Sequence, residues 1–335
     1  MQYLMSLART LEDRAGVVTA PLAVIVGFVI AIGLQAQQPE PRSESQDKEQ
    51  RATFRSGVEM VTINAVVRDH KGRVVANLTR SDFELLDSGR PQKIKDFRAD
   101  QAPMTVALLF DTSGSMQVSS KAGAARTAAD QFLAWLQSGR DQVAVFSFDS
   151  SLRELQGFTR DKDRVRTSFG RVEEPFGMTS LRDAIAETAR RVAAHGGSHR
   201  GVIVFTDGVD NNSRLTPAEV SGIASSIDVP VYVVAVVSPL DHAGQSSAVV
   251  DEKGSPAGEL MDLAQWTGGD AFLSSTVTQS GQAVKQIVDE LRFQYLIAFE
   301  PGGKPGWHPL EVKLRDRHLS VRARGGYFAG PSSGS

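Results

Sequence analysis

The hydrophobic pattern of the chain changes character repeatedly from one end to the other. Ala15 to Leu34 (AGVVTAPLAVIVGFVIAIGL) carries no charged residue and is long enough to cross a bilayer as a helix. Gln35 to Arg55 then offers almost nothing apolar to bury and reads as a polar tether. Over residues 57–98 short apolar stretches alternate with polar ones. Val58, Met60, Val61, Ile63 and Val66 belong to one strand, and turns fall at Gly72 and at Ser88-Gly89. That spacing predicts an antiparallel sheet. From Met104 continuous apolar runs replace the alternation: Thr105–Phe110, Val143–Phe148, Val202–Phe205, Val231–Val237 and Ala271–Leu273. Runs of this kind suit strands covered on both faces. Between them the period becomes helical, with Ala125, Ala129, Phe132 and Leu136 on one face and Leu181, Ile185, Thr188 and Val192 on another. Val284 to Leu291 makes a last helix. Strand and helix in alternation predict a doubly wound α/β domain with a mostly parallel sheet. From Gln294 three further strands follow, in QYLIAFEP, HPLEVKLRD and LSVRARGGYF.

Neither β flank is large enough to bury a core comfortably alone. We therefore expect the two flanks to pair into one β-sandwich with the α/β domain inserted into it; two independent small sheets are the alternative. The expected organisation is a signal peptide or signal anchor over 1–36, a tether over 37–55, a β segment over 56–102, the α/β domain over 103–292, a second β segment over 293–328 and a flexible tail over 329–335. Arg9 and Arg14 precede the apolar segment but are offset by Glu12 and Asp13, and Arg42, Lys48 and Arg51 follow it. This distribution does not set a topology. The short leading tail favours an N-terminus inside and the rest exported, to the periplasm or cell envelope or as a secreted protein. Leu34-Gln35-Ala36 offers a small residue for cleavage, so a cleaved leader and an inner-membrane anchor over 15–34 both stand.

Composition narrows the chemistry. Hydrophobic residues make up 41% and charged residues 23%, with a net charge of −2, so no general attraction to nucleic acid is expected. There is no cysteine, which removes disulfides, thiolate metal sites and cysteine nucleophiles together.

The candidate chemistry lies at strand ends. In LLFDTSGSMQ the first parallel strand runs into Asp111, Ser113 and Ser115. Thr179 stands in a loop just before a helix, and Asp207 follows the strand VIVF. In open α/β sheets ligands bind beyond the carboxyl ends of the strands. These three loops offer hard oxygen donors with few charges, a set suited to Mg²⁺, with Mn²⁺ or Ca²⁺ as further possibilities. The structural alternative is ordinary turn and cap chemistry. Asp111-x-Ser113-x-Ser115, Thr179 and Asp207-Gly208, in this order along residues 103–292, resemble the metal-ion-dependent adhesion site of von Willebrand factor A domains. The wider pattern, with VVRDHKGRVVANLTRSDFELLDSG before and VRARGGYF after, resembles the von Willebrand A-related domain proteins of Acidobacteria.

The resemblance implies roles. Ser113 and Ser115 would ligate directly, Asp111 and Thr179 directly or through water, and Asp207 through water. A Mg²⁺ held by hydroxyls and waters keeps much of its charge and an exchangeable position, so a partner protein's carboxylate could complete it. The implied function is a metal-dependent protein-binding, adhesion or scaffold module and not an enzyme.

Phe176 and Met178, in the Thr179 loop, are candidate partner contacts, with packing beneath the loop as the alternative. The polar stretch Ser238–Gly258, with Asp241 and His242, either shapes partner choice or is a mobile insertion.

The other readings are a metal-assisted hydrolase, with Asp149 or Asp210 as base, and a structural envelope protein with a vestigial metal site. No phosphate-binding glycine loop and no G-x-S-x-G elbow is present. The histidines are scattered, and His195 and His199 are expected as solvated loop residues.

Overall fold

The computed structural model describes residues 60–172, 174, 176–237, 256–302 and 304–329. The expected leader, the tether, the tail beyond Ala329 and the candidate contacts Asp241 and His242 lie outside the described residues. Among those described, no helix is long and apolar enough to cross a membrane.

Chain order begins with β1 (Val61–Arg68), β2 (Phe83–Asp87), β3 (Arg90–Gln92), β4 (Asp96–Gln101) and β5 (Met104–Asp111). It continues through α1 (Lys121–Trp135), β6 (Gln142–Phe148), β7 (Leu152–Thr159), α2 (Lys162–Phe169), α3 (Leu181–His195) and β8 (His199–Thr206). Next come α4 (Pro217–Ser226), β9 (Val231–Val236), α5 (Pro256–Trp266), β10 (Ala271–Ser274) and α6 (Val277–Arg292). The described chain closes with β11 (Phe293–Phe299), β12 (Gly306–Leu314), β13 (Ser320–Ala323) and β14 (Gly326–Ala329). The polar stretch expected to run as loop to Gly258 therefore gives way to helix at Pro256.

The central sheet has the order β10-β9-β8-β5-β6-β7. All its pairings are parallel except β6 with β7. β5 is wholly buried, and its residues alternate between two cores. Val106, Leu108 and Phe110 face α1 and α6; Ala107 and Leu109 face α3, α4 and α5. A strand buried on both sides has no polar face, which is why its sequence reads as one apolar run. Strand order reverses at β5, because β6 lies to one side and β8 to the other. A crevice opens at the strand ends of such a switch point.

Two antiparallel sheets run β13-β1-β11-β4 and β14-β12-β2-β3. Each draws strands from before and after the α/β region, with β1 against β11 and β2 against β12. Ile63 and Val67 of β1, Leu85 of β2, Ile297 of β11, Leu310 of β12 and Tyr327 of β14 share one apolar cluster.

Ion pairs join the first antiparallel sheet to the α/β layer. Glu290 of α6, 0% exposed, pairs with Arg68 of β1 and Arg322 of β13. Asp270 holds Arg322 at 2.6 Å and Arg68 at 3.5 Å. Arg324 donates to the Ser225 carbonyl at 2.6 Å and pairs with Asp228 at 3.5 Å. Asn64 of β1 reaches the same carboxylate at 2.7 Å.

The expectation of solvated loop positions for His195 and His199 fails at His199, which begins β8 and is buried. His308, on β12 as its run of sequence suggests, is buried and bonded through Nδ1 to Asp87 at 3.0 Å and through Nε2 to the Lys304 carbonyl at 2.8 Å. His195 ends α3 and stacks on Phe158 with ring centroids 4.1 Å apart.

Candidate functional site

Asp111 is the last residue of β5 and is buried. Its Oδ1 accepts the Ser113 amide at 2.8 Å, a tight local turn that folds the serines back over the strand end. Its Oδ2 accepts the Thr206 hydroxyl at 2.6 Å, and Thr206 is the last residue of β8. The neighbouring ends of β5 and β8 are thus joined through this carboxylate. Ser113 Oγ and Ser115 Oγ are 3.1 Å apart, and Ser115 Oγ donates to Asp207 Oδ1 at 3.2 Å. Asp111, Ser113, Ser115 and Asp207 therefore form one continuous hydrogen-bonded constellation.

Thr179 enters through the backbone of its loop. Gly114 N donates to the Gly177 carbonyl at 3.1 Å, and Phe176 N donates to the Thr112 carbonyl at 2.9 Å. On its other side, Thr179 N donates to Asn211 Oδ1 at 2.8 Å, and its carbonyl accepts the amides of Asn211 and Asn212 at 3.2 and 2.9 Å. Thr179 is held between the Asp111 loop and the Asp207 loop and is itself buried. Gly208 has φ +88, in the left-handed region that glycine tolerates. Its amide donates to Thr206 Oγ1 at 3.0 Å.

Burial pushes the Asp111 carboxyl up to about 6, and the charge of Asp207 adds to this, against hydrogen bonds from Ser113 and Thr206 that pull it down. A buried carboxylate raised by desolvation gains stability from a nearby cation. The donor set of carboxylates and hydroxyls, with no sulfur or imidazole, fits a hard divalent cation. Among the described residues no cluster of three or more His, Cys, Asp or Glu side chains stands ready for a metal; this constellation draws on hydroxyls instead.

One cation is already present. Lys121, the first residue of α1, places Nζ 3.0 Å from Asp207 Oδ2 and is only 7% exposed. Neither Lys121 nor Thr206 stands out in the sequence pattern. The apolar run VIVF ends at Phe205, one residue short of Thr206, and Lys121 looks like an ordinary surface position at a helix start.

The loops of the constellation expose three large apolar side chains. Phe176 is 81% and Met178 51% exposed, so neither packs beneath its loop; Val209, beside Asp207, is exposed as well.

The two carboxylates considered as bases for hydrolysis are otherwise engaged. Asp149 accepts the Ser151 amide at 2.9 Å and bonds Arg153. Asp210 accepts Nε and the amide of Arg182 at 2.9 and 3.0 Å and the Ser213 amide at 3.1 Å. Burial pushes both upward, but these donors outweigh it and hold both below the usual carboxylate range.

Similar solved structures include the conserved hypothetical protein BatB of Bacteroides thetaiotaomicron. It is 18% identical, with 56% of this chain and 98% of that chain covered and a TM-score of 0.45. An aerotolerance-related membrane protein of Bacteroides fragilis is 17% identical, covering 56% and 99%, with a TM-score of 0.45. A von Willebrand factor type A protein of Catenulispora acidiphila is 13% identical, covering 82% and 74%, with a TM-score of 0.46. No curated protein matches the sequence. Residues 106–209, the stretch that holds Asp111, Ser113, Ser115, Thr179 and Asp207, match the family model of the von Willebrand factor type A domain.

Proposed function

We propose that the chain is a metal-dependent protein-binding module and not an enzyme. Asp111, Ser113, Ser115, Thr179 and Asp207 would hold a Mg²⁺ at the ends of β5 and β8, with Mn²⁺ or Ca²⁺ as substitutes. The carrying observation is the convergence of a buried carboxylate, Asp111, a half-buried one, Asp207, and two serine hydroxyls in one network, with the Thr179 loop tied to both of its sides. When bound, the cation supplies an electrophilic position for a carboxylate. The protein's own contribution is to fix the donors. Thr206 orients Asp111, the Asp111 turn places Ser113 and Ser115, and the Asn211 contacts hold the Thr179 loop. Phe176, Met178 and Val209 then offer apolar contact around an acidic residue of the partner.

The same reading takes the two antiparallel sheets as one sandwich carrying the α/β domain. It takes residues 15–34 as the segment that directs export, which places the module in the envelope or outside the cell. The engagement of Asp149 and Asp210 with arginines and amides favours binding over hydrolysis, since a general base needs a free lone pair within reach of its proton.

The test is capture from envelope extract with the full chain as bait, in Mg²⁺ and in EDTA, with Asp111→Ala alongside. A partner retained by the wild type in Mg²⁺ and lost in the other two conditions supports the module. A partner retained equally in all three sinks it.

A further inference from the structure

We propose that Lys121 is a built-in counter-ion of the Asp111–Asp207 site, competing with the divalent cation and setting its affinity. The inference rests on the metal-site reading above and concerns a residue that reading does not use.

The placement of Lys121 runs against local preference in three ways. It is the first residue of α1, where the helix dipole opposes positive charge. It is 7% exposed, and lysines are almost never buried so fully without a partner. Ser120 before it sits at φ 59 and ψ 27, a left-handed conformation that non-glycine residues rarely adopt, and its side chain does not cap the helix. Backbone outliers of this kind persist where the surroundings enforce them, and they cluster at functional sites.

What compensates is the site. Nζ lies 3.0 Å from Asp207 Oδ2, while the other oxygen of that carboxylate accepts Ser115 Oγ at 3.2 Å. Asp111 joins the same network through Ser113 and Ser115. With Asp111 and Asp207 ionised, the two carboxylates and one ammonium leave the cation-free cluster with a single net negative charge instead of two. A divalent ion entering the cluster meets the repulsion of the ammonium or must displace it from Asp207. Either route weakens binding of the ion. The same ammonium, if it stays, leaves the loaded cluster with one net positive charge where the carboxylates alone would have left it neutral. That surplus suits an acidic partner. The site thus holds its metal less tightly and presents it as more positive.

The experiment measures Mn²⁺ affinity of the full chain by electron paramagnetic resonance of free Mn²⁺, together with thermal unfolding in EDTA. Four variants are compared with wild type: Lys121→Gln, Lys121→Met, Lys121→Arg and Asp111→Ala. Lys121→Gln keeps an amide donor for Asp207, so a folded neutral variant is available if Lys121→Met does not fold. Removing one unit charge at this range in a partly buried site should tighten Mn²⁺ binding by about tenfold or more. The metal-free protein should melt lower in the neutral variants, and Mn²⁺ should raise their melting temperature by more than it raises that of wild type. Lys121→Arg should stay near wild type. If Asp111→Ala abolishes Mn²⁺ binding while the neutral Lys121 variants bind no tighter than wild type, the counter-ion proposal is overturned and the metal site stands. If Mn²⁺ binding is absent from every protein, or indifferent to Asp111, the metal-site reading falls and this proposal with it.

Discussion

Thr206 Oγ1 donates a 2.6 Å hydrogen bond to Asp111 Oδ2 and accepts the amide of Gly208 at 3.0 Å. One hydroxyl thus ties the ends of two parallel strands together and starts the turn that carries Asp207. All three groups are buried, so none can turn to water for a substitute.

Thr206→Val keeps the shape of the side chain and removes the hydroxyl. A buried carboxylate oxygen and a buried amide then each lose a partner, which costs about 1–3 kcal/mol of stability. Asp111 also loses its orientation relative to the serines, so divalent-ion affinity should fall with it. Urea unfolding in EDTA and calorimetric titration with Mg²⁺ measure the two effects separately. A variant as stable as wild type that binds metal equally well would show that the Thr206 contact does not position Asp111.

Asp111 also predicts a pH dependence in the metal-free protein. Its carboxyl is pushed up to about 6, first by burial and then by Asp207, whereas in the unfolded chain it ionises near about 3.9. Between those values the native protein holds a proton that the unfolded chain has released. Stability from this group is therefore fully present below about pH 4 and lost as pH rises through about 6. The loss is of order 3 kcal/mol at most. Asp111→Asn cannot titrate. Its stability relative to wild type, followed by urea unfolding in EDTA from pH 4 to pH 7, should rise across that window and then level. A flat difference would mean that the native carboxyl ionises in its ordinary range.

Much of this architecture is legible in the sequence where burial is two-sided. The β5 run TVALLF is continuous because both of its faces are covered, and Ala125, Ala129 and Phe132 recur at helical spacing because they share the buried face of α1. The edge strand β7 (LRELQGFT) was not anticipated. It pairs antiparallel with β6 and is mostly half-buried, so it has no clear alternation. Asp111, Ser113, Ser115 and Asp207 stand out in the sequence because they closely follow apolar strand runs, and the structure joins them in one hydrogen-bonded network. Lys121 and Thr206 were not readable. The first matters through a contact 86 positions away and the second through one 95 positions away, and no local periodicity encodes either. The burial of His199 was hidden for the same reason, and so was the setting of His308. Each depends on parts of the chain distant in sequence, as Asp87 reaches His308 across 221 positions.

The glycine pair Gly325-Gly326 is explained by close approach. A Cβ on Gly325 would lie 2.9 Å from the Trp266 ring, and one on Gly326 would lie 2.7 Å from the His308 carbonyl oxygen and against Trp307. Gly326→Ala should therefore cost about 1–3 kcal/mol through forced displacement of packed groups. Gly72 has open space at its Cβ position but a φ of +74, so Gly72→Ala probes backbone strain without crowding. Fluorescence-detected urea unfolding should show Gly326→Ala with altered native tryptophan emission and Gly72→Ala with native emission unchanged. Native spectra indistinguishable from wild type in both would mean that the indoles do not rest on this backbone.

Glu290 provides a test of how the α/β layer is joined to the antiparallel sheet. Its carboxylate is wholly buried and faces two arginines, Arg68 from β1 and Arg322 from β13. Arg322 is also held by Asp270 at 2.6 Å and by the Gly268 carbonyl at 3.2 Å. Glu290→Ala leaves two half-buried guanidinium groups sharing one carboxylate, that of Asp270, and breaking one side of a buried pair costs about 3–5 kcal/mol. Glu290→Gln keeps acceptor and donor atoms and should cost less. The decisive comparison is a double-mutant cycle with Arg322→Met, in which the paired loss should be smaller than the sum of the single losses because no charge is left orphaned. If the losses simply add, Glu290 and Arg322 are not coupled, and the attachment of α6 to the sheet must rest on apolar contacts instead. Coupling of several kcal/mol would make this ion cluster the joint through which any displacement of α6 reaches β1 and β13.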